Sequence, residues 1–408
     1  MPSPNVVHEP ARETPVIAEV DVLVAGGGPA GIAAALAAAR VGARTMLVER
    51  YGYLGGMITG AYVIVILGVG DGHVPVARGI TAELRRRLEP FGAVKPRNDS
   101  GDYDVDPEVF KWQAQELLEE AGVRLRMHTL ACAPLMEGGR VAGVLVESKS
   151  GREAIRAKVV VDASADADLA FRAGCPCDDQ THEVTLALLV EGVDDEAVKD
   201  FQRRHPEEYD EIMAEAKRRN GGGLPRRNRL IKGIDCADAE QLTRAENEMR
   251  RDAFRSLMYL RQNMPGWEGA RIPVTFPQFG VRLGRRLRGL YVLTDEDIRG
   301  GRLFEDGVAR LGLYFPDWGP TYKLPGLRWD VPYRALVPES VDGLVVVGRC
   351  VSCDYIAGNT LRLIVPCLAT GQAGGTAAGL AALAGVAPRG VDAAQLRAAL
   401  LAQDVYLG

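Results

Sequence analysis

Three glycines, Gly26, Gly28 and Gly31, stand directly after a run rich in β-branched residues and open a run of alanines. Each answers a different need of a bound dinucleotide. The first permits a tight turn, the second lets a pyrophosphate approach the backbone, and the third lets a helix pack closely on a strand. The pyrophosphate then rests on the free N–H groups of the helix start, with Pro29 and Ala30 in its first turn, where the helix dipole favours negative charge. Glu49 follows Gly31 by eighteen positions, close to the spacing of about twenty expected for an acid that binds the ribose and disfavours a 2′-phosphate. Together these residues predict a dinucleotide site.

The next residues choose between a nicotinamide and a flavin. Residues 50–59 run Arg-Tyr-Gly-Tyr-Leu-Gly-Gly-Met-Ile-Thr, a glycine-rich loop where a nicotinamide dehydrogenase continues into a helix. A flavin lies deep and flat, and a loop with few side chains lets backbone line it. Arg50, Gly55, Gly56 and Met57 therefore join the candidate FAD contacts. Flavin chemistry asks the protein for orientation, charge and one proton donor or acceptor. Arg282, Arg285, Arg286, Arg334 and Arg362 are candidates to clamp a carboxylate; most arginines in any chain pair instead with acids. His73, in a Gly-Asp-Gly-His-Val-Pro loop, is a candidate general base, with a surface histidine as the ordinary alternative. Tyr62 is a further candidate. Cys350 and Cys353 form a C-x-x-C, though disulfide reductases of this kind place such a pair early and add a second glycine motif, which is absent here. Cys175 and Cys177 have no matching second pair, so no metal site is expected.

The elements that must hold these groups follow from local pattern. Residues 16–25 predict a buried parallel strand, 29–41 a small-residue helix and 45–49 a second strand, a β–turn–α–β unit. Asp106 and Pro107 predict the start of a helix that ends at Gly122. Residues 123–134 predict one strand, Gly138 and Gly139 a turn, 140–147 its partner, and 158–162 another strand. Charge rises from Gly174 to about Gly280. Strands are expected again at 289–293 and 343–348, and a last helix from near Pro366.

The 408 residues are 47% hydrophobic and 25% charged, with net charge −5, which is ordinary globular material and argues against broad nucleic-acid binding. A basic run at 217–229, including Arg218, Arg219, Arg226 and Arg227, reads as a solvated segment or as a rim attracting anions. Seven cysteines do not make a disulfide framework, so a reducing, cytoplasmic setting is expected. No signal peptide is apparent. The apolar stretch 363–386 carries Pro366, Gln372 and several glycines, and predicts a buried helix rather than a membrane span.

Several separate parts of the chain resemble the FAD-dependent oxidoreductases of the glutathione-reductase-like superfamily. They are Gly26 to Gly31 with Glu49, Arg50 and 54–56; residues 160–168; 280–286; 332–336; and 344–350 with 358–362 and 366–378. Ser164 and Ala165 stand where the family has Thr-Gly, a departure that bears on the backbone contact there. Arg349 stands where most of the superfamily has Asp. The resemblance implies an α/β fold: a Rossmann-like FAD domain with a parallel central sheet, a three-stranded antiparallel crossover and an interleaved α+β substrate cap. It places the FAD domain at 16–172 and 331–400 and the cap at 173–330. It adds Ala131, Ala163, Ser164, Asp166, Gly348, Arg349, Arg362 and Leu363 to the residues around a non-covalent FAD. Arg362, His73 and Arg282 are then the catalytic candidates. The expected activity is hydride or electron transfer between a small organic substrate and FAD, with oxygen, a quinone or a protein as acceptor. Three other readings stay open: a flavoprotein catalysing a non-redox step, a thiol oxidoreductase using Cys350 and Cys353, and a nucleic-acid-binding flavoprotein using the basic run.

Overall fold

The computed structural model describes residues 6–7, 9–179, 181–223, 229–315 and 326–408. Strand β1 (Val16–Ala25) has exposed and half-buried residues in its first half and a fully buried second half, Asp21–Ala25. It pairs in parallel with β2 (Thr45–Val48), which pairs with β3 (Arg124–Arg126). A hairpin of β4 (Leu130–Glu137) and β5 (Arg140–Ser148) leads into β6 (Gly151–Asp162), and β7 (Leu344–Val346) closes the set. β6 serves two partners on one side. Its first half pairs antiparallel with β5, and its last residues pair in parallel with β7. Along its other side it follows β1 from Val16 to Ala25. The result is a parallel sheet ordered β3-β2-β1-β6-β7 with a three-stranded antiparallel crossover built on the same long strand.

Five helices position the site: α1 (Pro29–Arg40), α2 (Pro107–Glu120), α3 (Ala239–Asn263), α4 (Tyr355–Leu361) and α5 (Ile364–Ala384). Every residue of α1 from Pro29 to Ala38 is buried, because the sheet covers one side and α5 the other. The small residues make this possible. A Cβ on Gly371 would lie 2.2 Å from the Ala30 carbonyl oxygen, and one on Gly375 would lie 2.1 Å from that of Ala34. The helices touch backbone to backbone, where larger side chains would hold them apart. α2 starts as expected: the Asp106 carboxylate accepts from the N–H groups of Glu108 and Val109, with Pro107 in the first turn.

Three expectations about strands are corrected. Residues 123–134 are not one strand. β3 ends at Arg126 and β4 begins at Leu130, with His128 at φ +54° between them. The break comes from tertiary bonds: Glu49 N–H donates to Arg126 O, Thr129 N–H to Glu49 O, and His128 N–H to Tyr51 O. The chain steps around the end of β2 and passes from the parallel edge of the sheet to its antiparallel crossover. Residues 158–162 are only the end of β6. Residues 289–293 make isolated bridges, Gly289 to Pro338 and Leu293 to Cys353, with Leu290 and Val292 exposed between them.

Between Gly174 and Phe315 the described chain builds smaller units. His182–Leu186 is the middle strand of an antiparallel sheet, flanked by Arg229–Ile234 and Gly280–Val281. α3 buries Ala245, Met249, Ala253, Leu257 and Leu260, the three-to-four spacing of one helix face. Met249 packs with Val184, Ile234 and Phe279, while Leu257 and Leu260 pack with Ile212, Met264 and Trp267. Among the described residues no single helix is long and apolar enough to cross a membrane; α4 and α5 are apolar but meet at 89°, and α5 is buried over most of its length. Arg226 and Arg227 of the basic run lie outside the described residues.

Candidate cofactor and substrate site

The three fingerprint glycines differ in what surrounds them. Gly26 has φ +111°, and a Cβ there would lie 2.4 Å from the Ala163 carbonyl oxygen. A Cβ on Gly31 would lie 1.8 Å from the Gly26 carbonyl oxygen. These two are glycine on the protein's own account. Gly28 has φ −73°, and the nearest heavy atom to a Cβ there would be Gly56 Cα at 3.9 Å. No atom of the described residues forbids a side chain at Gly28, so its openness leaves room for a ligand. That room opens at the start of α1, which has no side-chain cap. Its first N–H groups, apart from that of Pro29, are donors for a pyrophosphate.

The second glycine loop docks on the first. Gly55 N–H donates to Gly27 O at 2.8 Å, with Gly55 at φ +103° and Gly56 at φ +49°. Glu49 is buried and joins both loops: one carboxylate oxygen accepts from Gly27 N–H at 2.6 Å and the other from Tyr51 N–H at 2.9 Å. Its remaining lone pairs are the ones open to a ribose. Arg50 is exposed, its guanidinium 4.8 Å from the Tyr51 ring. Ala131 is half-buried in β4, just past the crossing at Thr129.

The end of β6 is held by Asp162, which is fully buried. One of its oxygens accepts from the backbone and hydroxyl of Ser164, and the other from the N–H groups of Leu169 and Ala170. Ala165 takes φ +78° and Ala167 φ +51°. Ala165 thus keeps the left-handed backbone that a glycine would adopt freely, at a cost of about 1–2 kcal/mol.

One guanidinium ties three of the distant segments together. Arg349, buried after β7, donates to both oxygens of Asp166 at 3.0 Å, to Ala165 O at 3.1 Å and to Val281 O at 3.0 Å. Beside it Gly348 has φ +83°, and a Cβ there would lie 2.9 Å from that of Ala30. Gly348 N–H donates to Thr370 Oγ1 at 3.1 Å. The start of α5 therefore sits against the start of α1. Its cap residue Leu363 supplies no side-chain bond, so this helix end also presents backbone donors.

At the corner between α4 and α5 stands Arg362. Burial, and then the neighbouring Arg282, lower its pKa to about 9. Arg282 is lowered as well, by burial, against the opposing pull of Glu183, to which it donates at 3.0 Å. Glu183 acts on both arginines. Next to it His182 is 5% exposed. Burial and the Arg362 charge lower its pKa to about 4. Two guanidiniums, the single carboxylate of Glu183 and a neutral imidazole thus share a poorly solvated corner, where the excess positive charge favours an anion.

A profile of the family described as FAD dependent oxidoreductase matches residues 21–400. This chain belongs to that family. FAD is the cofactor of this family. A digeranylgeranylglycerophospholipid reductase of Methanoculleus marisnigri is 35% identical over 167 residues, 38% of this chain and 41% of that protein. A thiamine thiazole synthase of Aeropyrum pernix is 35% identical over 128 residues, 31% of this chain and 43% of that protein. The matches thus span about two fifths of these curated relatives. A geranylgeranyl bacteriochlorophyll reductase-like structure from Thermoplasma acidophilum aligns with 95% of this chain and 84% of its own, at 15% identity and TM-score 0.48.

The remaining candidates of this family member sort by their partners. Arg285 pairs with Asp168 at 2.6 Å and lies over Phe171. Arg286 is buried and donates to Cys353 O and Gly284 O. Arg334 is half exposed and paired with Asp306. These three have structural partners. Tyr62 stacks on Phe276 at 4.3 Å. His73 is exposed in a loop turned by Asp71, which accepts from the N–H groups of His73 and Val74. Cys350 and Cys353 are buried as free thiols, and burial raises both, Cys353 to about 12. His182 was not among the sequence candidates. It carries no local motif, and only the fold sets it beside Arg362.

Proposed function

We propose that this chain is a flavoenzyme that oxidises or reduces a small anionic organic substrate held by Arg282 and Arg362. Gly28 and the start of α1 would hold the pyrophosphate of FAD, Gly348 would adjoin the ribityl portion, and Met57, Leu363 and the start of α5 would face the ring. When bound, FAD supplies the electron acceptor or donor. The dipole of α5 favours the negative charge that a reduced flavin gathers. In this reading residues 16–172 and 331–400 make the FAD half, and residues 173–330 bring Arg282 and the strand of His182 to the substrate.

The observation that carries the anionic substrate is the placement of Arg362 and Arg282 in one corner, where burial and mutual repulsion disfavour both charges. A bound carboxylate relieves both, by adding the opposite charge where water is scarce. The burial of Cys350 and Cys353 favours chemistry at the flavin alone over a dithiol. The test is anaerobic. The FAD-loaded protein is mixed with a panel of acids and their uncharged amides, oxidised protein with the hydroxy compounds and dithionite-reduced protein with the unsaturated ones. Change in the flavin band with an acid and little with its amide is expected. Equal rates with both would overturn the anionic reading, and a protein that takes up no FAD would overturn the flavoenzyme itself.

A further inference from the structure

His182 begins the strand His182–Leu186, opposite Ile234 of the neighbouring strand. Its Nδ1 lies 2.6 Å from the backbone nitrogen of Glu183 and accepts that N–H. A neutral imidazole has one acceptor nitrogen and one N–H. With Nδ1 accepting, the proton sits on Nε2. That Nε2–H is buried and meets no acceptor among the described residues, although the residue is only 5% exposed. A buried donor left unpaired costs about 1–3 kcal/mol, so such a group is uncommon unless something fills it.

Its surroundings say what would fill it. The charges acting on the ring are Arg362, Glu183 and Arg282, and the Tyr355 ring stands 5.3 Å away, centroid to centroid. Burial beside two guanidiniums keeps the ring neutral near pH 7, because an imidazolium would be a third cation in the same corner. A neutral N–H where two guanidiniums outweigh the one carboxylate of Glu183 suits a ligand with lone pairs and negative charge, which is an oxyanion. We propose that the Nε2–H of His182 is the hydrogen-bond donor that receives an oxygen of the anion held by Arg282 and Arg362. This rests on the anionic-substrate reading above and adds a residue that fixes how the anion is turned.

The experiment uses FAD-loaded protein with acetate, lactate and inorganic phosphate as probes. Affinity is read by calorimetry, and the ring by long-range proton–nitrogen spectra of labelled histidine, with the His182 signal assigned by its loss in variants. Addition of at least one probe is expected to move the His182 Nε2 resonance and leave Nδ1 as the acceptor. His182→Phe removes the donor while keeping a ring of similar size. It is expected to weaken that probe about 10- to 100-fold, the range for a hydrogen bond to a charged group. His182→Gln keeps an N–H and is expected to recover most of the affinity, and both variants are expected to retain FAD. No movement of the Nε2 resonance with any of the three anions would overturn the proposal. So would wild-type affinity in His182→Phe. Arg362→Gln separates the two levels. Loss of binding in Arg362→Gln but not in His182→Phe removes only the histidine, whereas wild-type binding in both removes the anionic-substrate reading with it.

Discussion

The contrast between Gly28 and Gly31 gives the sharpest test of the cofactor site, because the two glycines should fail in different ways. Gly28→Ala places a methyl group no nearer than 3.9 Å to any heavy atom of the chain, at a φ of −73° that any residue adopts. Two small effects oppose each other. Alanine lowers the freedom of the unfolded chain, a gain of about 0.4–1 kcal/mol. Alanine is also a poorer N-cap than glycine, a loss of similar size. The FAD-free protein should therefore unfold within about 1 kcal/mol of the parent. Gly31→Ala instead drives a methyl group to 1.8 Å from the Gly26 carbonyl oxygen. Backbone must move, and overpacking of this kind costs about 3 kcal/mol. FAD affinity reports the other half. In Gly28→Ala the methyl group occupies the approach of the pyrophosphate, and loss of close charge-assisted bonds at about 1.5–3 kcal/mol each weakens binding by about 100-fold. The assays are urea unfolding of the FAD-free protein and titration of FAD by quenching of its fluorescence. A Gly28→Ala protein that binds FAD like the parent would refute the placement of the pyrophosphate. One that is destabilised as much as Gly31→Ala would refute the claim that the space at Gly28 belongs to a ligand.

Other perturbations reach the remaining parts. Arg349→Met leaves Asp166 without its guanidinium partner, and should lower urea stability by about 3–5 kcal/mol, with partial recovery when Asp166→Leu is added. Cys350→Ala combined with Cys353→Ala should keep full turnover, and native protein should resist alkylation at both positions over hours; loss of turnover at unchanged FAD content would revive the dithiol. Asp21 is held well below the usual carboxylate range, chiefly by its bonds with Arg44 and with help from Lys158. A depressed carboxylate adds stability that is present above its unfolded pKa of about 3.9 and is lost as pH falls toward the folded value. Acid unfolding below about pH 4 should accordingly flatten in Asp21→Asn. The effect should be modest, since Arg44 and Lys158 are more than half exposed and water screens exposed pairs.

The first βαβ unit was legible because its signals are local. The β-branched residues of β1, the glycine turn, the alanines of α1 and the Asp106–Pro107 cap each act within a few positions, and each is found where the pattern put it. The misread elements were decided at a distance. Apolar residues alternate with arginines from Val123 to Met127 and resume at Leu130, but bonds with Glu49 and Tyr51 break the strand. The first half of β6 mixes arginines with apolar residues because the crossover leaves part of it exposed, so only its buried end looked like a strand. The same limit hid His182. A lone histidine beside a glutamate carries no motif, while His73 drew notice through its glycine-rich loop and is exposed.

Arg349 shows how the site is assembled from parts that look unrelated along the chain. The superfamily that this chain resembles usually has Asp where Arg349 stands, and a carboxylate is an acceptor of hydrogen bonds. An arginine has no acceptor, so it cannot take over that role. Its donors turn inward to Asp166, to Ala165 O and to Val281 O. Arg349 thereby fixes the loop carrying Ser164, the strand leading to Arg282 and the turn at Gly348 against one another. What remains for a ligand beside Gly348 is backbone and helix-start N–H groups, which suit hydroxyls and phosphates without a carboxylate. A change at Arg349 should then disturb the spacing of Gly348 and Arg282 together, so FAD affinity and anion affinity should fall in step rather than one without the other.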